Sequence, residues 1–202
     1  MKAMELIKKY LPVAIAGLAG VLIGGFVFGG WGRTPNPADT PGFVPGAVVK
    51  GEKNCKTTEE TMTVSGDSLA GIIKNGDKVK VIKNYYTCND AKRGDIVVYG
   101  YAAGTQLLVK IVKAIPGDKW ELKKSGTGWN IIVNGAVLKT SDGKPYLISE
   151  QSYRLLSLYT HDYNSVIPGD AYLILGNEPG GSLDSTRFGL VGRSDFVGKV
   201  QK

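Results

Sequence analysis

The chain has 202 residues and a formal net charge of +7, and 43% of its residues are hydrophobic. The basic surplus suits either an anionic lipid surface or an ordinary basic protein surface, but no interleaving of aromatic and basic residues points to nucleic acid. We therefore expect no nucleic-acid partner. One histidine and two cysteines provide no cluster with metal-ligand spacing, so we also expect no metal and no other cofactor.

The N-terminal region contains an uncharged run over residues 11–31. At about 1.5 Å per helical residue the run is roughly 31 Å long, which matches a bilayer core. Three lysines lie among residues 1–10 and only Arg33 follows closely, so the N-terminus is predicted to be cytoplasmic and the rest extracytoplasmic. A cleaved signal peptide is the alternative. The length of the run and the lack of an Ala-x-Ala-like site favour a retained, single-pass anchor in the cytoplasmic membrane.

The anchor is followed by a predicted linker and one domain. Residues 32–50 contain four prolines and are predicted to be extended. Residues 51–202 are long enough for one extracytoplasmic domain with its own core. The predicted extracytoplasmic domain contains two cysteines, Cys55 and Cys88. They could form a disulfide or remain two unpaired thiols, and the sequence leaves both alternatives open. A bridge would close a loop of about 33 residues and stabilise the fold by roughly 3 to 4 kcal/mol.

The domain is predicted to be mostly β. Short runs rich in Val, Ile and Tyr alternate with turn signals, a pattern typical of strands joined by tight connections. The predicted strands cover residues 78–82, 95–101, 106–115, 129–133, 171–175 and 196–200. Few segments beyond the anchor have helical periodicity.

Two kinds of turn signal organise these strands. Gly-Asp pairs precede four apolar segments, at residues 76–77, 94–95, 117–118 and 169–170. This repetition favours a role in turns over a catalytic role for the aspartates. Asn134 and Gly135 have the composition of a tight hairpin turn, so we expect residues from about 120 to 165 to form a hairpin excursion from the main sheet.

Ser68 and Lys110 are the candidate catalytic residues. A serine needs a positioned base to act as a nucleophile near neutral pH. The one histidine, His161, lies in a polar stretch typical of a solvated loop, and nothing around it supports a Ser/His/Asp triad. Lys110 lies in an apolar run, where burial can lower its pKa from about 10.4 to near 7, as a neutral amine requires. A lysine base is therefore favoured.

Three segments, in the same order along the chain, resemble the sequence boxes of one protein family. Residues 65–69 (Ser-Gly-Asp-Ser-Leu) resemble its Ser/Asp-Gly-x-Ser-Met box, and residues 110–118 resemble its Lys-Arg-Val-x-Gly-x-Pro-Gly-Asp box. Residues 176–189 resemble its Gly-Asp-Asn-x-x-x-Ser-x-Asp-Ser-Arg-x-x-Gly box. The family is type I signal peptidase, the membrane-anchored serine/lysine proteases that remove signal peptides from exported proteins. The resemblance implies an antiparallel β-sheet or barrel as the catalytic domain.

The resemblance implies a role for each matching residue. Ser68 would be the nucleophile, with its backbone N–H binding the oxyanion, and Lys110 would be the general base. Ser182 would donate a hydrogen bond that orients the Lys110 amine. Asp184 would hold that loop in place, and Ser185 would support the floor of the site.

Three further positions in the boxes carry expectations. Gly66 stands where some family members place a hydroxyl donor, so the resemblance implies that this side-chain contribution is missing here. Asp67 occupies the variable position before Ser68 and is a candidate supporting residue. Lys113 occupies a variable position of the second box and is expected to be solvated.

Several residues depart from the family's boxes. Leu69 replaces a methionine with little change of volume. Ala70 and Gly71 replace a proline-containing continuation, so we expect a looser turn around the serine. Ile111 and Asn177 replace an arginine and an aspartate that form an ion pair in the family, and their joint loss removes both charges rather than leaving one unpaired.

The residues and the resemblance together predict a membrane-bound serine endopeptidase that cleaves signal peptides from exported precursors with a Ser/Lys dyad. Its partners would be signal peptides of secretory preproteins, membrane lipid and the secretion translocon. Two alternatives stay open. One is a peptidase of the same family dedicated to conjugative transfer or pilin maturation. The other is a membrane-tethered homologue that binds precursors without cutting, and the retention of Ser68 and Lys110 argues against it.

Overall fold

A computed structural model describes residues 55–102 and 104–201 of the chain. The predicted cytoplasmic segment, transmembrane anchor and linker, residues 1–50, lie outside the described residues. Within the described ranges, no helix is both long enough and apolar enough to cross a bilayer.

The described residues form two antiparallel sheets and three helices. The strands are β1 (Thr58–Thr63), β2 (Lys78–Lys83), β3 (Ile96–Tyr101), β4 (Gln106–Ala114), β5 (Trp120–Ser125), β6 (Gly128–Val133), β7 (Ala136–Val137), β8 (Leu147–Ile148), β9 (Ala171–Leu175), β10 (Val191–Gly192) and β11 (Phe196–Gln201). The helices are α1 (Tyr85–Cys88), α2 (Glu150–Asp162) and α3 (Ser185–Phe188). The prediction of a mostly β domain is confirmed.

The larger sheet has the strand order β1-β2-β11-β3-β4-β9-β10. It contains five of the six predicted strands, and the sixth is β6 of the smaller sheet. The prediction missed β1 and β5 because each exposes most of its side chains and carries several charged or polar residues. An exposed strand lacks the apolar run from which a buried strand is recognised.

The centre of the larger sheet is buried on both faces. Val97, Val112 and Ile174 are fully buried in one apolar cluster. Val98 and Ile111 belong to a second cluster. Burying each such side chain contributes about 1.5 to 3 kcal/mol, so β3, β4 and β9 form the most strongly held part of the domain. Strands covered on both faces read as continuous apolar runs, which is why the sequence predicts them well.

Three of the four Gly-Asp pairs form the same turn. The side chains of Asp77, Asp95 and Asp118 each accept a hydrogen bond, 2.8 to 3.0 Å long, from the backbone N–H three residues earlier. The glycine before each aspartate has a positive φ, which favours glycine. The predicted role in turns is therefore confirmed for these three pairs. In the fourth pair, Asp170 itself has a positive φ and forms an ion pair with Arg193.

The smaller sheet lies within residues 120–148. It has β6 at its centre, paired with β5, β7 and β8. Asn134 and Gly135 have φ values of 50° and 80°, and Val133 pairs with Ala136. These two residues therefore form the two-residue hairpin turn that the sequence predicts.

Helix α2 follows the smaller sheet and corrects the expectation that helices are scarce. Its buried face includes Ser152 and Leu156, and Tyr159 packs against the same core. Serine and tyrosine take places that are usually aliphatic, so the apolar periodicity of the segment is weak. Ser149 caps the helix, because its side chain accepts a hydrogen bond from the Ser152 N–H.

Cys55 and Cys88 form a disulfide, with their Cα atoms 5.7 Å apart. Cys55 precedes β1, and Cys88 is the last residue of α1. Within the described residues β1 is an edge strand that pairs only with β2. The disulfide therefore fastens the chain just before an edge strand, and on the chain-entropy model it contributes roughly 3 to 4 kcal/mol.

Candidate active site

The side chains of Ser68 and Lys110 meet although they lie 42 residues apart in the sequence. Lys110 Nζ is 2.9 Å from Ser68 Oγ and 2.9 Å from the carbonyl oxygen of Val109. Both distances are those of hydrogen bonds. A hydroxyl in contact with a buried amine is the minimal arrangement that a serine/lysine mechanism requires.

Lys110 is positioned by the register of β4. It lies opposite Val97 of β3, and the next residue, Ile111, pairs with Leu175 of β9. Lys110 is only 2% exposed. Burial lowers the pKa of its amine below the ordinary value, and the negative charge of Asp184 opposes this shift. Burial is the larger of the two effects, so the net shift of the Lys110 pKa is downward.

Ser68 lies in a turn between β1 and β2. The Ala70 N–H donates to the Asp67 carbonyl oxygen at 2.8 Å, which closes a turn with Ser68 at its second position. Leu69 is 1% exposed and packs into the core, so it anchors the turn. Gly66 has a φ of +92°, a conformation that other residues rarely adopt. Gly66 and Asp67 are themselves exposed.

The side chain and backbone of Asn177 tie the Ser68 turn to the end of β9. The Asn177 N–H donates to the Ser68 carbonyl oxygen at 2.6 Å, and Nδ2 donates to the Ala70 carbonyl oxygen at 2.6 Å. Nδ2 also donates to Ser141 Oγ, and Oδ1 accepts from the Ser141 N–H. The looser turn that we expected from Ala70 and Gly71 is therefore not observed. A buried amide holds these residues instead.

This role of Asn177 was not visible in the sequence. Compared with the family's box, Asn177 is only a neutral residue in place of a charged one. In the folded chain, it joins three separate segments. Its 7% exposure means that each polar atom of the amide needs a partner, and both have one. The residue it replaces in the family does not reveal these contacts, because Ser141 comes close only in the folded chain.

Gly176 lies at the closest approach between the third box and the Ser68 turn. A Cβ atom at this position would lie 2.8 Å from the Ser68 carbonyl oxygen and still closer to the Ser182 hydroxyl. The Gly176 N–H donates to Asp184 Oδ2 at 2.9 Å, and its carbonyl oxygen accepts from the Tyr146 hydroxyl at 2.5 Å. The absence of a side chain therefore permits this packing.

Three polar residues of the third box, Ser182, Asp184 and Ser185, are buried. Asp184 caps α3, because its Oδ1 accepts from the N–H and the hydroxyl of Thr186. Ser185 is fully buried, and its hydroxyl accepts from the Ile174 N–H of β9 at 3.0 Å. The Ser182 hydroxyl is buried without a hydrogen-bond partner among the described residues. The hydrogen bond to Lys110 implied by the resemblance is therefore not formed in this structure.

The other candidate bases lie elsewhere. Lys113 is half-buried, so the expectation of a solvated side chain is met only in part: its Nζ donates to the Lys139 carbonyl oxygen at 2.9 Å and lies 5.1 Å from the centre of the Tyr146 ring. Burial lowers the pKa of Lys113 as well. His161 has an 89% exposed side chain, close to Asp162 at the end of α2. A lowered lysine pKa therefore does not identify the base by itself, and the contact with Ser68 distinguishes Lys110 from Lys113.

An apolar groove of about 310 Å³ begins beside the dyad. Its walls come from the end of β1 with the residues after it, 62–65, and from the first half of β4, 106–110. Val79, Val81 and Val98 form part of its lining. The groove therefore leads to Lys110 along residues that precede Ser68 in the chain.

Comparison with known proteins identifies the family of this chain. A family model described as "Signal peptidase, peptidase S26" matches residues 55–202. The chain belongs to the signal peptidase family. It is accordingly a serine peptidase, and its membership supports signal-peptide cleavage as the activity.

Two relatives and one solved structure are similar to the chain. Signal peptidase IB of Staphylococcus aureus is 32% identical over 149 residues, which cover 68% of this chain and 73% of that protein. A probable signal peptidase I-2 of Synechocystis is 25% identical over 148 residues, which cover 70% of this chain and 61% of that protein. The crystal structure of a signal peptidase I from Enterococcus faecalis is 20% identical, with a TM-score of 0.41, and covers 56% of this chain and 98% of that one.

Proposed function

We propose that this member of the signal peptidase family is a membrane-bound endopeptidase that removes N-terminal signal peptides from exported precursors, with Ser68 as nucleophile and Lys110 as general base. The observation that carries the proposal is the 2.9 Å contact between Lys110 Nζ and Ser68 Oγ at the end of an apolar groove. A homologue that only binds precursors would have no use for a buried amine against a hydroxyl, because burying it is costly.

The proposed reaction uses one lysine for the two proton transfers of each step, acylation and deacylation. Neutral Lys110 takes the proton from Ser68 Oγ as the oxygen attacks the scissile carbonyl, and the Ser68 N–H stabilises the oxyanion. The Val109 carbonyl oxygen accepts one N–H of the amine, which turns the nitrogen lone pair toward the hydroxyl. The lysine ammonium then protonates the leaving amine, and an acyl-enzyme forms. The neutral lysine afterwards takes a proton from the water that attacks the ester, and it returns that proton to Ser68 Oγ as the acyl group is released.

Asp184 and Ser182 would support the charged form of the base. The carboxylate raises the pKa of Lys110 and so stabilises the ammonium that exists between the two proton transfers. Ser182 has a buried hydroxyl with no partner among the described residues, and a buried hydroxyl is costly to leave unpaired. We assign it the role of orienting the lysine amine once the lysine becomes charged.

The segment before the cut would bind in the apolar groove as an extended strand. An extended peptide points alternate side chains to the same face, so residues one and three places before the cut would face the groove together. The resemblance implies that small residues, commonly alanine, are selected there. Main-chain hydrogen bonds to the backbone beside Ser68 and β4 would set the register of the scissile bond.

Membrane attachment is part of the same proposal. Residues 11–31 would form the single anchor, with residues 1–10 in the cytoplasm, 32–50 as the linker and 51–202 as the extracytoplasmic domain. The length of the uncharged run and the lysines before it support this topology. Anchoring would hold the domain near precursors that emerge from the secretion translocon, so lipid and translocon are the proposed partners.

The test is cleavage of a secretory precursor by the full chain in lipid vesicles. Ser68→Ala and Lys110→Met are expected to lower kcat/KM by about a thousandfold or more, because each removes one member of the dyad. Lys113→Met and Ser157→Ala are the matched controls: Lys113 shares the strand and the lowered pKa, and Ser157 lies on α2. Both controls should stay close to the wild type.

Two results would contradict the proposal. Loss of cleavage with Lys113→Met but not with Lys110→Met would show that Lys113, and not Lys110, is the base. Tight binding of the precursor by the wild-type chain, without any cleavage, would identify a binding homologue instead of a peptidase.

A further inference from the structure

A second cleft, of about 230 Å³, adjoins the Ser68 turn. Whereas the apolar groove is lined by residues that precede Ser68, this cleft is lined by Ala70 and Gly71, which follow it. Its other walls come from residues 140–142, 144 and 177–179. Along the chain, Ser68 therefore stands between residues that line the groove and residues that line the cleft.

The floor of the cleft is connected directly to the nucleophile. A Cβ atom on Gly71 would lie 3.4 Å from Asn177 Nδ2 and 3.5 Å from Ser141 Oγ, so the absence of a side chain keeps the floor open. Asn177 donates from its backbone to the Ser68 carbonyl oxygen. A peptide that leaves Ser68 on this side meets the cleft at once.

The charges around the cleft are unequal. Asp142 forms an ion pair of 2.7 Å with Lys144, and the two charges offset each other. Glu178 is exposed and forms no direct ion pair with any residue that the structure describes, but its negative charge also acts on Lys144. Two carboxylates and one ammonium group thus leave the rim with a surplus of one negative charge, and Glu178 is the carboxylate without a direct ion pair.

We infer that this cleft binds the residues that follow the scissile bond, and that Glu178 favours a basic side chain among them. The inference rests on the proposed function, because only a substrate that crosses Ser68 has one end in each depression. An extended chain advances about 3.3 Å per residue, so the first residues of the leaving segment fall within reach of the cleft. The cleft is thus a specificity element for the mature end of the precursor.

The test uses peptides that are identical up to the cut and carry either Lys or Glu at the second position after it. The wild-type chain should cleave the Lys peptide with the higher kcat/KM. Glu178→Gln should reduce this Lys-to-Glu ratio roughly two- to fivefold at low salt, the size expected of one exposed charge pair, and added salt should reduce the wild-type ratio. Glu121→Gln, an exposed carboxylate on β5, is the matched control and should leave the ratio unchanged.

A truncated substrate separates this role from damage to the dyad. A peptide that ends in a p-nitroanilide at the cut has no residues for the cleft, so Glu178→Gln should hydrolyse it at the wild-type rate. An unchanged Lys-to-Glu ratio, or an equal loss on the anilide, would overturn the inference alone. No cleavage of any peptide by the wild-type chain would overturn both the inference and the proposed function.

Discussion

The two members of the proposed dyad are held in different ways. Lys110 lies on a central strand, with paired neighbours on both sides and a buried core on both faces. Ser68 lies in a loop between β1 and β2 whose position depends on a few hydrogen bonds from Asn177 and on the packing of Leu69. The base is therefore held in place by many contacts across the sheet, whereas the position of the nucleophile depends on a few contacts. Among substitutions outside the dyad, those behind Ser68 should therefore be the most damaging to catalysis.

Outside the dyad, the largest effect is expected where the third box touches the Ser68 turn. In Gly176→Ala, the added methyl would lie 2.8 Å from the Ser68 carbonyl oxygen and closer to Ser182, so one of these segments must move. A displacement of about 1 Å at a catalytic group can cost a hundredfold in rate, and overpacking costs about 1 to 3 kcal/mol of folding free energy. Peptide kcat/KM and thermal unfolding measure the two effects.

Gly169→Ala is the control for this substitution, because a Cβ atom there meets nothing within 4 Å and the φ of Gly169 is not positive. It should leave both quantities almost unchanged. A Gly176→Ala protein with full activity would show that Ser68 tolerates displacement, and the contrast between the two members of the dyad would lose its basis.

An intermediate effect is expected from the hydrogen bonds of Asn177. Asn177→Ala removes the side-chain donor to the Ala70 carbonyl oxygen and the acceptor of the Ser141 N–H, which costs about 1 to 3 kcal/mol in stability. We expect kcat of the folded protein to fall about tenfold or more, because the turn behind the nucleophile loses its tie.

The matched change on the side of the base is Val97→Ala, which leaves a cavity opposite Lys110. A cavity in the sheet costs stability, about 1 to 3 kcal/mol, while the paired backbone keeps the strand in place. Its kcat, measured below the unfolding transition, should stay within a few fold of the wild type. Equal losses of kcat in Asn177→Ala and Val97→Ala, at equal stability, would show that the nucleophile and the base are held equally firmly.

The smallest effect, a shift in pH dependence, concerns the charge of Lys110. Activity should rise with pH as the ammonium loses its proton, and Asp184 raises the pKa of that group. Asp184→Asn removes the negative charge, so the pKa of Lys110 should fall further and the acid limb of the kcat/KM profile should move to lower pH. Asp162→Asn, on exposed helix α2, is the control. A limb that stays in place, or moves to higher pH, would show that another group controls the profile.

The sequence predicts the strands and the dyad better than it predicts what supports them. β3, β4 and β9 were recognisable because they are buried on both faces, and Ser68 and Lys110 because each lies in a characteristic box. The bridge from Asn177 to Ser141 could not be predicted, since it depends on how a distant excursion folds back. The partial burial of Lys113 could not be predicted for a similar reason: Tyr146 and the Lys139 carbonyl oxygen, which contact this lysine, both belong to that excursion.

The disulfide has a mechanical consequence. β1 forms part of the proposed substrate groove, and within the described residues it is paired along one edge only. Tension arriving along the chain from an anchored N-terminal segment would enter the domain at Cys55 and pass through sulfur to α1, which Tyr86 holds in the core. The tension would therefore not act on the hydrogen bonds between β1 and β2, and it would not break them one after another. An enzyme tethered to a fluctuating bilayer would in this way keep its groove intact while the tether is pulled.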